Sequence, residues 1–359
     1  MVSIYHIGIV QAWFAALLVY RKPNKGSADI LLIVWLLVIG LEMLYSLINL
    51  KYFTWLPDLI IIPLSYGPFL YFYTKLLISR KPNFPKNFFM HLIPVFFFIA
   101  ASLFLWRPID IDAVNFLKKG AITWLAIINF GLFFISMLYY WWVVFKLIKK
   151  HNKTLNDHFS YRSDSVRLTW LRAIALWILG GFLCSALTFF IFFLQNIFPF
   201  NPIEIFHLGL LVFTFSISYY GIHQPVLYQR TKQKSNKQND SSSKKETHEL
   251  GEKLKKIMIS EKPYLNSELT IQDLAEQLNE SAPSISNYLN KDIKVNFFTY
   301  INGFRIEEAK SRLTNSEHKN DTLLGIAFDS GFNSKSSFNT LFKKSTGMTP
   351  SEYRKLNQL

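Results

Sequence analysis

Two short stretches of the chain set amide, hydroxyl and ammonium groups on one side of a helix and apolar groups on the other. In the first, Pro283, Ser284, Ser286, Asn287 and Asn290 face outward from a helix whose inner positions are Ile285 and Leu289. In the second, Ser334 opens a helix with Phe338, Leu341 and Phe342 inward, and Ser334 itself counts with Lys335, Ser336, Asn339 and Thr340 among the outward, DNA-facing candidates. Lys343 and Lys344 follow in its last turns. These groups suit hydrogen bonding to base edges. An Asn amide can bond adenine N6 and N7 together, and a Lys ammonium can donate to guanine O6 or N7, each worth about 1–3 kcal/mol of discrimination. Lysines one turn later, where a helix leaves a groove, are placed for phosphate oxygens. An outward polar face is also what any solvated helix shows, so the setting decides.

The setting is a helix and a tight turn in front of each stretch. Thr270 caps a helix, with Asp273 at the third position to return a bond, and Leu274, Ala275 and Leu278 on its inner face. Asn279 stands four residues after Ala275, where a helix-turn-helix needs positive φ, which Asn tolerates. The pattern recurs: Ile326 and Ala327 match Leu274 and Ala275, and Gly331 again stands four residues after the alanine. Thr349-Pro350-Ser351-Glu352 is a capping box with proline at the first helical position, so a short helix closes the domain. A first helix is predicted over 246–260 and is broken by Lys262-Pro263-Tyr264. Between the two units, 297–313 reads as one helix with two apolar sides, Phe297, Ile301 and Phe304 on one, Phe298, Ile306, Ala309 and Leu313 on the other. That fits a strut wedged between two subdomains. Its rise of roughly 25 Å approaches the ~34 Å between successive major-groove faces on one side of DNA.

The first two-thirds of the chain is a different polymer. The whole has 359 residues, 50% of them hydrophobic and 17% aromatic, with 34 Phe and only 18% charged. Seven apolar stretches approach the ~20 residues a bilayer demands, near 3–20, 30–50, 59–78, 91–106, 121–148, 171–194 and 205–222. One such run could be a buried core helix; seven in succession, separated by short charged loops, argue against that. The first is not a cleaved signal peptide, since basic residues follow it instead of preceding it. Alternate loops hold fourteen Lys and Arg (Arg21, Lys22, Lys25; Lys75, Arg80, Lys81, Lys86; Lys146, Lys149, Lys150, Lys153, Arg162, Arg167, Arg172) against four in the others (Lys51, Arg107, Lys118, Lys119). The positive-inside rule then predicts a multi-pass membrane protein with an outside N-terminus and a cytoplasmic C-terminus. Glu42 lies mid-helix in the second span. It reads either as an intramembrane sensor site for a ligand or proton, or as an acid that bonds a neighbouring Tyr or Asn. Cys184, the single cysteine, reads as a small apolar residue, and His91, His207 and His223 sit near span ends without metal-ligand spacing. No protease or hydrolase motif occurs, so the chain is not read as an enzyme.

Between the two parts, QRTKQKSNKQNDSSSKK has no apolar periodicity and six cations, Arg230, Lys232, Lys234, Lys237, Lys244 and Lys245. It reads as a disordered tether or as a lipid-docking polybasic segment. From Arg230 onward the chain holds 21 Lys and Arg against 16 Asp and Glu, a net of +5, which is modest for a nucleic-acid binder.

The stretch GFNSKSSFNTLFKKSTGMTPSEYR, residues 331–354, resembles the signature of AraC/XylS-type transcription regulators. LTIQDLAEQL and NFFTYINGFRIEEAKSRL upstream resemble the variant attached to multi-span membrane regions in Bacteroidetes-type bacteria. Weaker echoes of that subgroup are SYGPFLYFYTKLL from Ser65, HLIP from His91 and FSYRSDSVRLTWLR from Phe159. The resemblance covers about the last hundred residues. It implies that both recognition helices enter the major groove, through Pro283, Ser286 and Asn287 in the first and Lys335, Ser336, Asn339 and Thr340 in the second. The chain departs from the family at Asn287, where a basic residue is common, and at Leu289-Asn290, where Phe-Lys is common; both departures imply less phosphate binding by the first helix.

The expected fold is all-α: a seven-helix transmembrane bundle over 1–225, a polybasic linker over 226–245 and a tandem helix-turn-helix domain over 246–359. The expected function is a membrane-embedded one-component transcription factor. The expected partners are double-stranded DNA, the lipid bilayer, RNA polymerase, a second copy of the chain as a homodimer, and an unknown small ligand or membrane signal; no cofactor and no metal are expected. A transporter or channel with a regulatory DNA-binding domain is the competing reading. In that reading Glu42 would line a permeation path.

Overall fold

A computed structural model describes residues 2–51, 62–79, 84–105, 121–195, 202–225, 227 and 244–357. The described residues are helical throughout, with one isolated antiparallel bridge, Phe159 to Thr270, and no named strand. The chain divides into two compact units, Met1–Lys150 with Leu168–Arg230, and His151–Arg167 with Thr231–Leu359.

The first unit is built from apolar helices: α1 (Val2–Arg21), α2 (Ser27–Lys51), α3 (Tyr66–Leu77, entered through a 3₁₀ turn Ile62–Ser65), α4 (Ile93–Leu105), α5 (Ala121–Thr154, whose last turn belongs to the second unit), α6 (Thr169–Gln195) and α7 (Pro202–His223). Ala12, Ala15 and Ala16 on α1 and Ala28 on α2 are buried, and such small side chains let two helix backbones approach closely. Trp35 is fully buried and stacks on Phe69 with ring centroids 5.6 Å apart, packing α2 against α3. Large apolar side chains face outward as well as inward, around an apolar core that holds a few polar groups. Val10, Phe14, Leu37, Leu41, Ile135 and Phe215 are exposed, while Thr74, His207, Thr214 and Ser218 are buried. An outer apolar face with polar groups inside is what a hydrocarbon surround favours.

Each of the seven apolar stretches holds a helix. Among the described residues, four helices are long and apolar enough to cross a membrane: Ser3–Arg21, Ser27–Ile48, Gly131–Asp157 and Ile205–His223. Phe89–Ala101 and Thr169–Gly180 are shorter apolar helices. The 12 residues of α3 rise only ~18 Å at 1.5 Å each. The loop at 107–120 and the linker cations Arg230 to Lys237 lie outside the described residues.

The second unit contains α8 (Lys244–Ser260), α9 (Ile271–Leu278), α10 (Ala282–Asn287), α11 (Phe297–Thr314), α12 (Leu323–Asp329), α13 (Lys335–Thr346) and α14 (Pro350–Asn357). Lys262 in the left-handed region ends α8, and a 3₁₀ turn Pro263–Leu265 follows. There are two cores. Leu254, Ile257, Leu274, Ile285 and Leu289 close the first; Ile326, Ala327, Phe338 and Phe342 close the second. The strut α11 serves both, with Phe297 and Ile301 in the first and Ile306, Ala309 and Leu313 in the second. Phe298 departs from the expected side and instead lies under the guanidinium of Arg162, 4.6 Å from its ring centroid. No sequence periodicity marked residues 151–167 as part of this unit. They join it because Leu155 and Phe159 are almost fully buried in it and the backbone of 158–160 pairs with that of 269–271.

Candidate nucleic-acid interface

The two helix-turn-helix units are shaped by their caps and turns. Thr270 and Asp273 form a reciprocal capping box: the Asp273 amide donates to Thr270 Oγ1 (3.3 Å) and the Thr270 amide to Asp273 Oδ2 (2.8 Å). Asn279 ends α9 at φ 53°, as a left-handed C-cap. Ser281 then caps α10, accepting from the Ser284 amide at 3.1 Å. In the second unit Thr322 caps α12, Gly331 makes the turn at φ 88°, and Ser334 caps α13, accepting from the Ser337 amide at 3.3 Å. At Gly331 a glycine is required twice over: the φ is one that L side chains avoid, and a Cβ would stand 2.2 Å from the Tyr264 carbonyl oxygen.

The structure separates the predicted contact residues by role. Pro283 and Asn287 are exposed on α10 and Asn290 is exposed in the turn that follows it, whereas Ser286 is half-buried and accepts from Asn290 Nδ2 at 3.3 Å. Ser284 is half-buried and bonded to Ser281 Oγ at 2.7 Å, so it belongs to the cap. Ser334 is likewise the cap of α13. Lys335, Ser336, Asn339, Thr340, Lys343 and Lys344 are all exposed, forming a continuous outer face opposite Phe338 and Phe342. The short α10 passes into a π-helical turn Tyr288–Ile293, which carries Lys291, and Lys294 closes it in the left-handed region; both lysines are exposed. Sequence reasoning missed these two cations. The helical periodicity it followed ends at Leu289 and Asn290, and the rest of the widened turn has no pattern of its own.

A buried network and a partly exposed one brace the strut α11. Arg305 on α11 is 1% exposed and donates to the Tyr264 carbonyl (Nε, 2.7 Å) and the Asn266 carbonyl (Nη2, 2.7 Å). Burial pushes its guanidinium down to about 10, so it remains charged at neutral pH. Glu308 accepts from Lys262 Nζ and Arg312 Nε, both at 3.0 Å; burial would raise this carboxyl, but those two cations outweigh it and hold the group below the ordinary carboxylate value.

Glu42 lies in the other unit, buried on α2, where it accepts a hydrogen bond from the Tyr66 hydroxyl at the start of α3. That is the pairing with a neighbouring Tyr foreseen from sequence. Nearby in the chain, Ser46 Oγ and His207 Nε2 are 3.3 Å apart, joining α2 to α7. Among the described residues no three His, Cys, Asp or Glu side chains converge as a metal site would need.

Residues 274–356 match a family model described as a helix-turn-helix domain. The chain is 33% identical over 91 residues to an uncharacterised HTH-type transcriptional regulator of Staphylococcus aureus (strain COL), covering 25% of this chain and 12% of that protein. It is 33% identical over 90 residues to the melibiose operon regulatory protein of Escherichia coli (strain K12), covering 25% of this chain and 29% of that one. The likeness thus spans less than a third of either relative's length. A solved structure of a protein of unknown function from Listeria innocua is 28% identical and covers 30% of this chain and 97% of that chain, with a TM-score of 0.26. The C-terminal part of the chain is an AraC-type helix-turn-helix domain, of the kind found in transcription regulators.

Proposed function

We propose that this chain is a membrane-embedded one-component transcription regulator. Its tandem helix-turn-helix unit reads DNA in the cytoplasm, and its apolar helices sit in the bacterial inner membrane and receive the signal. The observation that carries this is the joining, in one chain, of an AraC-type domain to long apolar helices whose outward faces are also apolar. The charge bias of fourteen against four supports an outside N-terminus and a cytoplasmic C-terminus. A second feature supports the same sidedness: residues 151–167, assigned to a cytoplasmic loop by that bias, pack in the unit that carries the domain.

On this reading α13 supplies most of the base contacts, through Lys335, Ser336, Asn339 and Thr340, and Lys343 and Lys344 hold phosphates. Pro283, Ser286 and Asn287 on α10 enter a neighbouring stretch of groove. RNA polymerase and a second copy of the chain are the protein partners. Glu42 and its Tyr66 partner lie at the mid-depth of the bundle, where a bound ligand or proton would change the packing of α2 on α3.

The test has two arms. Chromosomal binding sites of the tagged full-length protein are mapped, and reporter fusions are placed after Asp112, Asp157 and Leu359. Discrete sites sharing a sequence, with phosphatase activity only after Asp112, are the expected result. Phosphatase activity after Leu359, or an absence of enriched sites, would overturn the reading.

A further inference from the structure

The loop between α5 and α6 is folded onto the DNA-reading unit through bonds that an incidental contact would not make. The Ser160 amide donates to the Leu269 carbonyl (3.2 Å), and the Ile271 amide donates to the His158 carbonyl (3.0 Å). Ser160 Oγ donates to the same Leu269 carbonyl at 2.6 Å. The Ser160 carbonyl accepts from Asn302 Nδ2 (2.9 Å) and Arg305 Nη1 (3.0 Å), and Ser160 Oγ accepts from Arg305 Nη2 (3.0 Å). Phe159 is 3% exposed. Inside the loop, His151 Nε2 lies 2.9 Å from the Val166 carbonyl oxygen, and Arg162 Nη2 donates to Asn156 Oδ1 at 3.0 Å, so the segment is braced across its own base.

Where these bonds land matters. Thr270, the bridge partner of Phe159, is the N-cap of α9, and Ile271 is its first residue. Arg305 and Asn302 lie on α11, the strut shared by the two cores. The loop therefore grips the first helix-turn-helix unit at its entrance and the strut at mid-length. Its ends continue into α5 and α6. The other connection, up to the start of α8 at Lys244, reads from its sequence as a polar segment without apolar periodicity.

We propose that residues 151–167 are a strap that couples the membrane helices to the DNA-reading unit, so that a shift of α5 against α6 moves or loosens α9 and α11. This rests on the reading of the second unit as the DNA-binding output, but docking and coupling are measured without DNA.

In the full-length protein, in membrane vesicles and with Cys184 replaced by Ala, Phe159→Cys and Thr270→Cys are combined, and a protease site is inserted in 231–243. The two flanking bonds mark this as the closely spaced antiparallel pair, with Cα atoms about 4.5 Å apart, within disulfide range. After mild oxidation and cleavage the two fragments should stay joined in most chains, and should separate in either single-cysteine variant. Separation in the double variant would overturn docking. The second readout is amide exchange in Ser160→Pro, which loses the Ser160 amide and both hydroxyl bonds. Exchange at Ile271 and along α9 should rise by about tenfold, as loss of one or two such bonds implies. A docked strap whose loss leaves α9 and α11 exchanging as in the wild type would overturn the coupling. If Ser160→Pro does not fold, Ser160→Ala, which removes only the hydroxyl bonds, gives the same comparison at smaller amplitude. Binding of a random-sequence duplex by the same preparations shows separately whether the DNA-reading assignment itself fails.

Discussion

The turn of the first helix-turn-helix unit is made by Asn279 at φ 53°, and that of the second by Gly331 at φ 88°. The first has room for a side chain; the second lies against the Tyr264 carbonyl, where a Cβ cannot be placed. The recognition helices differ in the same direction. The six residues of α10 present Pro, Ser and Asn, and cations come only afterwards, at Lys291 and Lys294 in the π-helical turn. The twelve residues of α13 carry Lys335, Lys343 and Lys344 on one exposed face. The same motif is thus built once as a short, weakly charged unit clasped by residues 158–160, and once as a longer cationic unit packed against the rest of the domain. The difference suggests that the first unit carries regulation and the second carries most of the grip on DNA.

The largest effect expected from this contrast is at the turns. Gly331→Ala must accept both an unfavourable φ and a backbone clash, and should destabilise the unit by about 2–4 kcal/mol. Asn279→Ala keeps a Cβ the site already holds, and should cost about 1 kcal/mol. Pulse proteolysis of the full-length protein in detergent measures both, and equal losses would remove the distinction. The caps come next. Thr270→Ala breaks a two-way box and should cost about 1–2 kcal/mol, whereas Ser334→Ala loses a single bond and should cost about 1 kcal/mol or less. Thr270→Ala should also loosen its neighbours in the strap, visible as faster exchange at Ser160. A smaller effect is expected for Lys343→Ala and Lys344→Ala. Each should weaken binding to any duplex alike and flatten the slope of log K against log salt by about 0.9. Lys291→Ala and Lys294→Ala, at the end of the weaker unit, should change that slope less.

The smallest effect is the acid response of Glu308. Its folded-state value lies below the ordinary carboxylate value, so its contribution is present above the unfolded value and is lost as pH falls through the folded one. Lys262 is about half exposed, so the contribution is only ~0.5 kcal/mol after screening. Glu308→Gln should therefore lower stability slightly at pH 7, by an amount that fades as acidification protonates the wild-type carboxylate, in thermal unfolding curves.

Much of the DNA-reading unit could be read from the sequence, because its signals are local. A cap three residues before its partner, a glycine four residues after an alanine and apolar groups at helical spacing are all short-range patterns, and each marks a real element. The two-sided strut was legible for the same reason, apart from Phe298, whose partner Arg162 lies far away in the chain. What stayed hidden was long-range. Residues 155–160 show neither period, and their place is fixed by backbone pairing with 269–271 and by Arg305, which nothing local announces. Ser334 was read as a contact residue because an outward serine and a capping serine look the same until the amide it accepts from is seen, and the bonds of Ser284 to the cap Ser281 were not visible either. Of the apolar part, the helices were legible and a bond from Glu42 to a neighbouring Tyr was one of two readings left open, whereas the identity of Tyr66 and the number of spans were not.

The central claim is that α13 reads bases, and Asn339→Ala tests it most directly. The full-length variant and the wild type are titrated with salt on a duplex carrying the mapped site and on a scrambled duplex. Affinity for the true site should fall by roughly 5- to 150-fold, corresponding to about 1–3 kcal/mol, while affinity for the scrambled duplex and the salt slope stay unchanged. Equal losses on both duplexes would contradict the claim, and would assign Asn339 to the phosphate backbone and base reading to another face of the unit.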